Sequence, residues 1–360
     1  PHVMSHLEAR LEKDLNHIRD LVHEQAKTVA QSVRDAVHAL QTGNRKLANA
    51  TVLNDHPINR RMRKIDRLCH QFIAVHLPSA GNLRLLSSAI RINIELERIG
   101  DYAVTICRES LQLQVPPSGH MAIELERLAG EAQLALGQSI DAFERLDASA
   151  ARATIRVVSQ LDANMDAVYS ELMAKPEQQA IKDLLAVFVV FTQLKRVADQ
   201  AKNICEETVF AATGEQKAPK VYNILFVDED NSCMSQMAQA IAAKAYPESG
   251  RYTSGGRNPA QALSPALAEF LDAHGVDTTG MAPSGLDLTQ LELAHQHVII
   301  SLQGPVSDYF PAVPFHTVTL EWDLGAPPEA GDQQRQEELY RALALEIKDL
   351  MELLRGEGAS

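Results

Sequence analysis

Two pairs of oxygen-bearing side chains stand four residues apart in the first third of the chain: Asp55 with Asn59, and Glu97 with Asp101. Four-residue spacing puts both members of a pair on one face of a helix. If the two helices run antiparallel, the faces can meet and offer three carboxylates and an amide oxygen. Such a cluster suits hard cations, or iron and manganese as in di-iron carboxylate bundles. A second set follows in Asp162, Asp166 and Asp199, with Lys195 where a fourth ligand would stand. An ammonium there would repel a cation or pair with Asp199. Acids four apart also describe an ordinary solvated face, and both readings stay open at this point.

A third group lies in one loop: Asp228-Glu229-Asp230-Asn231-Ser232-Cys233-Met234-Ser235. It follows the apolar run Tyr222–Val227 and precedes a helical pattern from Gln236 to Tyr246. Strand, loop, helix is the context of a phosphate-binding turn. A helix start favours a thiolate at Cys233, whereas the three acids oppose it. Cys233 therefore reads either as a reactive thiol or as a small, partly buried one. The acids read as a cation site, a contact for a basic partner, or a solvated loop.

The elements that must position these residues are of two kinds. From Leu7 the apolar residues Leu7, Leu11, Leu15, Ile18, Val22, Val29, Val33 and Val37 recur at helical steps. Gly43-Asn44, Pro78 with Gly81, and Pro116-Pro117 with Gly119 punctuate three long helices, the second reaching about His76 and the third running over 82–114. The plan then recurs over 121–146, 149–173 and 176–212. Short connections between long helices imply antiparallel neighbours, so residues 1–116 and 117–213 read as two three-helix bundles. They match each other: Leu96-Glu97-Arg98-Ile99-Gly100-Asp101 returns as Leu194-Lys195-Arg196-Val197-Ala198-Asp199, and Asp55 with Asn59 returns as Asp162 with Asp166. This is an internal duplication. Arg98 and Arg196 recur in register and are expected to pair between helices. Arg60, Arg61, Arg63, Lys64 and Arg67 read as a solvated basic face that could also dock an acidic partner.

Residues 214–220 form a polar linker. Beyond them, strands at Tyr222–Val227, 297–302 and 318–321 alternate with helices over 236–246, 265–275 and 335–355. Residues 221–360 therefore read as a small doubly wound α/β domain with a parallel sheet. The fold class is a multidomain chain, an all-α pair of bundles followed by that domain.

Composition narrows the function classes. The chain has 360 residues, 45% apolar and 22% charged, with a net charge of −13. Residues 219–360 hold 8 Lys+Arg against 20 Asp+Glu, a net of −12. Neither half has the basic excess that nucleic-acid binding needs. The longest apolar run, Leu184–Phe191, is too short to span a bilayer. No secretory signal is expected. Four scattered cysteines without a CxxC pair fit a reducing cytoplasm rather than a disulfide scaffold.

Residues 4–213 resemble PhoU, the bacterial regulator of phosphate uptake. The likeness rests on Met4-Ser5-His6-Leu7, Asn54-Asp55 with Ile58-Asn59, Ile73-Ala74 through Pro78, Asn82-Leu83-Arg84, and the duplicated motif at Leu96–Asp101. It implies two three-helix bundles whose acidic pairs bind metal, with Asp55, Asn59, Glu97 and Asp101 at one site and Asp162, Asp166 and Asp199 at the other. The expected metal is divalent or trivalent: iron, zinc, nickel or manganese. It also implies a cytoplasmic homo-oligomer acting on the ATPase of the phosphate ABC transporter and on the sensor histidine kinase of the phosphate regulon, touching the membrane only through these partners. A metal-storage or metal-sensing bundle, or a scaffold, is the alternative.

Residues 221–355 resemble low-molecular-weight tyrosine phosphatases and thioredoxin-coupled arsenate reductases, whose loop reads Cys, five residues, Arg, then Ser. Asn231, Ser232, Cys233, Ser235, Gln236, Met237 and Ala238 fit that loop. So do Ser254-Gly255-Gly256, Gly275-Val276-Asp277 and Trp322-Asp323. The catalytic positions differ: the nucleophile falls on Asp228, the loop glycine on Asp230, the oxyanion-binding arginine on Met234, and the general acid on Ala326. Near Leu302 and Gln303 no second redox cysteine appears. The resemblance therefore implies a retained fold without catalysis, a pseudoenzyme. The alternative is an aryl-phosphate or arsenate enzyme that uses Cys233.

Overall fold

The structure is a computed structural model that describes residues 6–174 and 181–360. Met4 and Ser5, and the expected start of the sixth helix at 176, lie outside the described residues. Six helices come first: α1 (His6–Thr42), α2 (Arg45–His76), α3 (Ala80–Gln112), α4 (Gly119–Arg145), α5 (Ala148–Ala174) and α6 (Ile181–Thr213). Local chemistry sets their ends. Gly43 takes φ +70° after α1, and Asn44 caps α2 by accepting the Leu47 N–H. Leu77, at φ +45°, ends α2 just before Pro78.

The apolar stripe of α1 is buried from Ile18 through Val22, Val29, Val33 and Val37. Its first turns differ from expectation. Leu7 is 77% exposed, and Leu11 and Leu15 are half-buried, so the stripe outruns the packing offered to it. α1, α2 and α3 pack together as one bundle. Ala142 of α4, Ala151 of α5 and Cys205 of α6 share a small core in the other. α3 and α6 run against each other through the duplicated motif: the Arg196 guanidinium lies 5.9 Å from the Tyr102 ring centroid, and Gln200 Nε2 donates to Tyr102 Oη at 3.2 Å. The expected helix-to-helix ion pairs are replaced. Arg98 pairs with Glu95 on its own helix at 3.6 Å, and Arg196 uses an aromatic face instead.

By contact the chain divides into two compact units, residues 1–165 with 174–217, and residues 166–173 with 218–360. The second holds β1 (Tyr222–Asp228), α7 (Met234–Ala245), β2 (Gly250–Gly256), α8 (Pro265–Ala273), α9 (Gln290–Ala294), β3 (Val298–Ser301), β4 (Val318–Glu321) and α10 (Gln333–Arg355). The strands form one parallel sheet in the order β2-β1-β3-β4. Alternate residues of β1 enter different cores. Ile224 and Phe226 pack with Met237, Leu267, Leu339 and Leu343, while Leu225 and Val227 pack with Ile299, Val306 and Phe310. Burial of β1 on both faces explains why it reads as an unbroken apolar run. Strand order reverses beside β1, and the loop after β1 sits at that switch point, where open α/β sheets bind ligands.

Two elements escape sequence reading. β2, Gly250-Arg-Tyr-Thr-Ser-Gly-Gly256, has three glycines and no apolar alternation. α9 is five residues long and held by a capping box between Thr289 and Glu292.

Candidate functional site

Asp55 of α2 sits opposite Gly100 of α3. A Cβ at Gly100 would lie 3.2 Å from Asp55 Oδ1, so the missing side chain is what admits the carboxylate to the seam. Asn59 Nδ2 donates to Asp55 Oδ2 at 2.9 Å. Asp55 Oδ1 and Asn59 Oδ1 are both buried with no hydrogen-bond partner. Burial and the Asp101 charge raise the pKa of Asp55. Burial, then Asp101 and Asp55, raise that of Glu97. The four expected residues are thus brought into one another's field at the α2–α3 seam.

In donor chemistry this seam suits a hard cation, with three carboxylates, an amide oxygen and two buried oxygens lacking a donor. As the side chains stand, however, no group of three or more His, Cys, Asp or Glu among the described residues converges to hold a metal ion. Asn59 turns its amide nitrogen, not its oxygen, toward Asp55.

The duplicate seam is chemically different. Burial and the Asp162 carboxylate push Asp199 up to about 7. The Lys195 and Lys202 charges act in the opposite direction. Asp162 Oδ1 is buried without a hydrogen-bond partner. Asp166, one turn further along α5, falls in the second compact unit, where His316 Nε2 lies 3.4 Å from its Oδ1. A carboxyl of raised proton affinity, with lysines nearby, suits a cation less well than the first seam does.

The phosphate-type loop is built from its own acids. α7 begins at Met234, two residues earlier than its apolar pattern suggests, so the Ser235 N–H lies in the first helical turn. Asp228 Oδ2 accepts that N–H at 2.8 Å, and its Oδ1 accepts the Asn231 N–H at 2.7 Å. Asp230 Oδ1 accepts the Ser232 N–H at 3.0 Å. The Glu229 N–H is taken by Gln303 Oε1 at 2.9 Å. Four loop donors are therefore directed at acceptors of the same chain. Burial raises the pKa of Asp228, and the Ser235 and Asn231 donors pull it back.

Asn231, at φ +53° and fully buried, organises the turn. Its Nδ2 donates to Ser235 Oγ, while its Oδ1 accepts from Gln236 Nε2 and from the Ser284 N–H. Gly256 closes the back of the loop. A Cβ there would lie 2.6 Å from the Asn231 nitrogen.

The surroundings of the acids and of Cys233 distinguish their open readings. The three acids differ: Asp230 is exposed, as a solvated loop would be, whereas Asp228 and Glu229 are held by the chain. Asp228 is 3% exposed, and Glu229 meets Arg257 at 2.6 Å and Asn258 at 2.8 Å, which hold its pKa low. Nothing near the loop motif announces Arg257, because the sheet brings it there from beyond β2. Cys233, at the N-cap of α7, is 3% exposed, and burial raises its pKa. Burial outweighs the helix start, which leaves a poor nucleophile. Met234 is buried in the core, where it cannot bind an oxyanion.

By fold, this is a tandem of helical bundles followed by a phosphatase-type sheet domain. Residues 22–110 and 125–208 match the PhoU domain family, and residues 223–358 match the low molecular weight phosphotyrosine protein phosphatase family. A phosphate-specific transport system accessory protein PhoU homolog from Synechocystis is 30% identical over 161 residues, covering 44% of this chain and 72% of its own. The accessory protein PhoU of Serratia marcescens is 28% identical over 212 residues, covering 58% and 87%. The crystal structure of PhoU from Pseudomonas aeruginosa is 29% identical, with a TM-score of 0.53 over 57% of this chain and 99% of that one. The chain belongs to the PhoU family. No helix among its described residues is long and apolar enough to cross a membrane.

Proposed function

We propose that this protein is a cytoplasmic regulator of phosphate transport and phosphate-starvation signalling whose C-terminal domain has lost catalysis. The match of its bundles to accessory proteins of the phosphate-specific transport system carries this reading. Its partners by that relationship are the transporter ATPase and the sensor histidine kinase of the phosphate regulon, with the chain acting as a homo-oligomer. Residues 1–116 and 117–213 are the regulatory bundles, and 214–220 link them to the domain at 221–360.

The loop hydrogen bonds support the absence of catalysis. Phosphoryl or arsenate chemistry needs an accessible thiolate with backbone donors and an arginine aimed at the oxyanion. Here a carboxylate stands in the thiolate position and takes two of those donors itself. The buried Cys233 does not replace it.

The first seam supports metal binding. A cation held by Asp55, Glu97, Asp101 and the Asn59 oxygen would neutralise the facing carboxylates and tie α2 to α3.

The test is complementation. Expression of the full chain in a bacterium lacking its own PhoU should restore repression of a phosphate-starvation reporter at high phosphate. A reporter that stays on, with the protein soluble and abundant, would sink the regulatory reading. Turnover of an aryl phosphate that vanishes in Cys233→Ser would revive the enzyme reading.

A further inference from the structure

The outer face of α2 carries cations and no carboxylate. Arg60, Arg63, Lys64 and Arg67 follow steps of three and four, so they form one stripe on the side away from the buried Ile58, Ile65, Cys69 and Phe72. All four are exposed. Among the described residues, no ion pair or side-chain hydrogen bond engages them. The two acids of α2 are turned elsewhere. Asp55 lies in the α3 seam, and Asp66 lies beside His70 at 3.6 Å. Arg61, the remaining cation of the run, is directed at α1, where it meets Glu24 at 2.9 Å. Lys46 extends the same face toward the start of the helix. Leu53, 65% exposed, and Val75, 60% exposed, bracket the stripe.

We propose that this face of α2 docks on an anionic lipid bilayer, with Arg60, Arg63, Lys64 and Arg67 meeting the headgroups and Leu53 and Val75 reaching the headgroup boundary. A row of four to eight cations on a helix face is the pattern that anionic leaflets attract, each cation contributing roughly a fivefold gain in partitioning. The attraction acts within about 8 Å at physiological salt, so a local stripe suffices in a chain of net charge −13. Other polyanions fit less well. The face has no Phe, Tyr or Trp ring on which a base could stack, since Phe72 is buried. It also lacks the aromatic anchor that centres most protein interfaces. Direct lipid contact would hold the protein at the membrane independently of any partner there.

The test is co-sedimentation of the full chain with vesicles of phosphatidylcholine alone and of phosphatidylcholine mixed with phosphatidylglycerol. Binding is expected only to the mixed vesicles, and should disappear at about 1 M salt, where the Debye length falls to about 3 Å. Replacing Arg60, Arg63, Lys64 and Arg67 together by Gln should reduce partitioning on the order of a hundredfold or more. The double variant Arg60→Gln with Arg67→Gln should lose roughly 25-fold, which keeps the test alive should the quadruple variant fold poorly. Equal binding by parent and folded variants would overturn the proposal. So would no binding to the mixed vesicles at low salt, or salt-sensitive binding to polyglutamate without binding to vesicles, which would favour an acidic protein partner.

Discussion

Asp228 and Ser235, seven residues apart, are joined by a 2.8 Å hydrogen bond from the Ser235 N–H to Asp228 Oδ2. The donor lies in the first turn of α7, where backbone N–H groups lack helical partners and attract anions. In a phosphate-binding turn that anion is the ligand. Here it is a side chain from the end of β1, and the loop is held by the chain itself.

Asp228→Ala should therefore destabilise the domain. It orphans two buried donors, on Asn231 and Ser235, at about 1–3 kcal/mol for each unsatisfied group. Chemical denaturation followed at Trp322, the one tryptophan of the chain, reads the change. Stability equal to the parent would mean that the carboxylate contributes nothing to the loop. Asp228→Cys with Met234→Arg should still turn over no aryl phosphate, because Glu229, Asp230 and Ala326 remain.

The α2–α3 seam predicts opposite responses in the presence and absence of metal. Asp101 raises the pKa of both Asp55 and Glu97. In chelator-treated protein at neutral pH, Asp101→Asn should stabilise by about 0.5 kcal/mol, the scale of a like-charge pair four apart on a helix. The same variant should bind iron or manganese at least tenfold more weakly than the parent, by calorimetry. Unchanged metal affinity would remove the seam as the metal site.

The second bundle should lose stability as pH rises. The pKa of Asp199 is raised to about 7 from an ordinary 3.8. The folded chain thus holds this proton more tightly than the unfolded chain. That contribution is complete below about pH 4 and is lost as pH climbs to about 7. Asp199→Asn should flatten this part of the profile, by on the order of 2 kcal/mol relative to the parent. Parallel urea-midpoint profiles for parent and variant from pH 4 to about 8 would count against the raised proton affinity.

All four thiols should be silent in the native protein. Cys69, Cys107, Cys205 and Cys233 are buried, and burial raises each pKa. A chromogenic disulfide reagent should titrate four thiols in denaturant and none quickly without it. One fast native thiol that disappears in Cys233→Ser would reopen a chemical role for the loop.

Much of this was legible in the sequence because the signals are local or repeated. Helical periodicity with Gly43, Pro78 and the Pro116-Pro117 joint marked six long helices, and an apolar run before a polar loop marked β1. The duplication of Leu96–Asp101 at Leu194–Asp199 fixed which helices correspond. Four-residue spacing brought Asp55 with Asn59 and Glu97 with Asp101 to single helix faces. Tertiary structure decided what spacing cannot carry. Gly100 admits Asp55 to the seam by lacking a Cβ, and Arg196 turns to Tyr102 because α3 and α6 run together. β2 is a strand through its pairing with β1, without an apolar pattern of its own. The loop acids were visible as charge, but whether charge is solvated, paired or buried depends on what the sheet sets beside it. Asp228 meets backbone donors from the turn that Asn231 organises, Glu229 meets Arg257 from beyond β2, and Cys233 is withdrawn from water by the packing of α7.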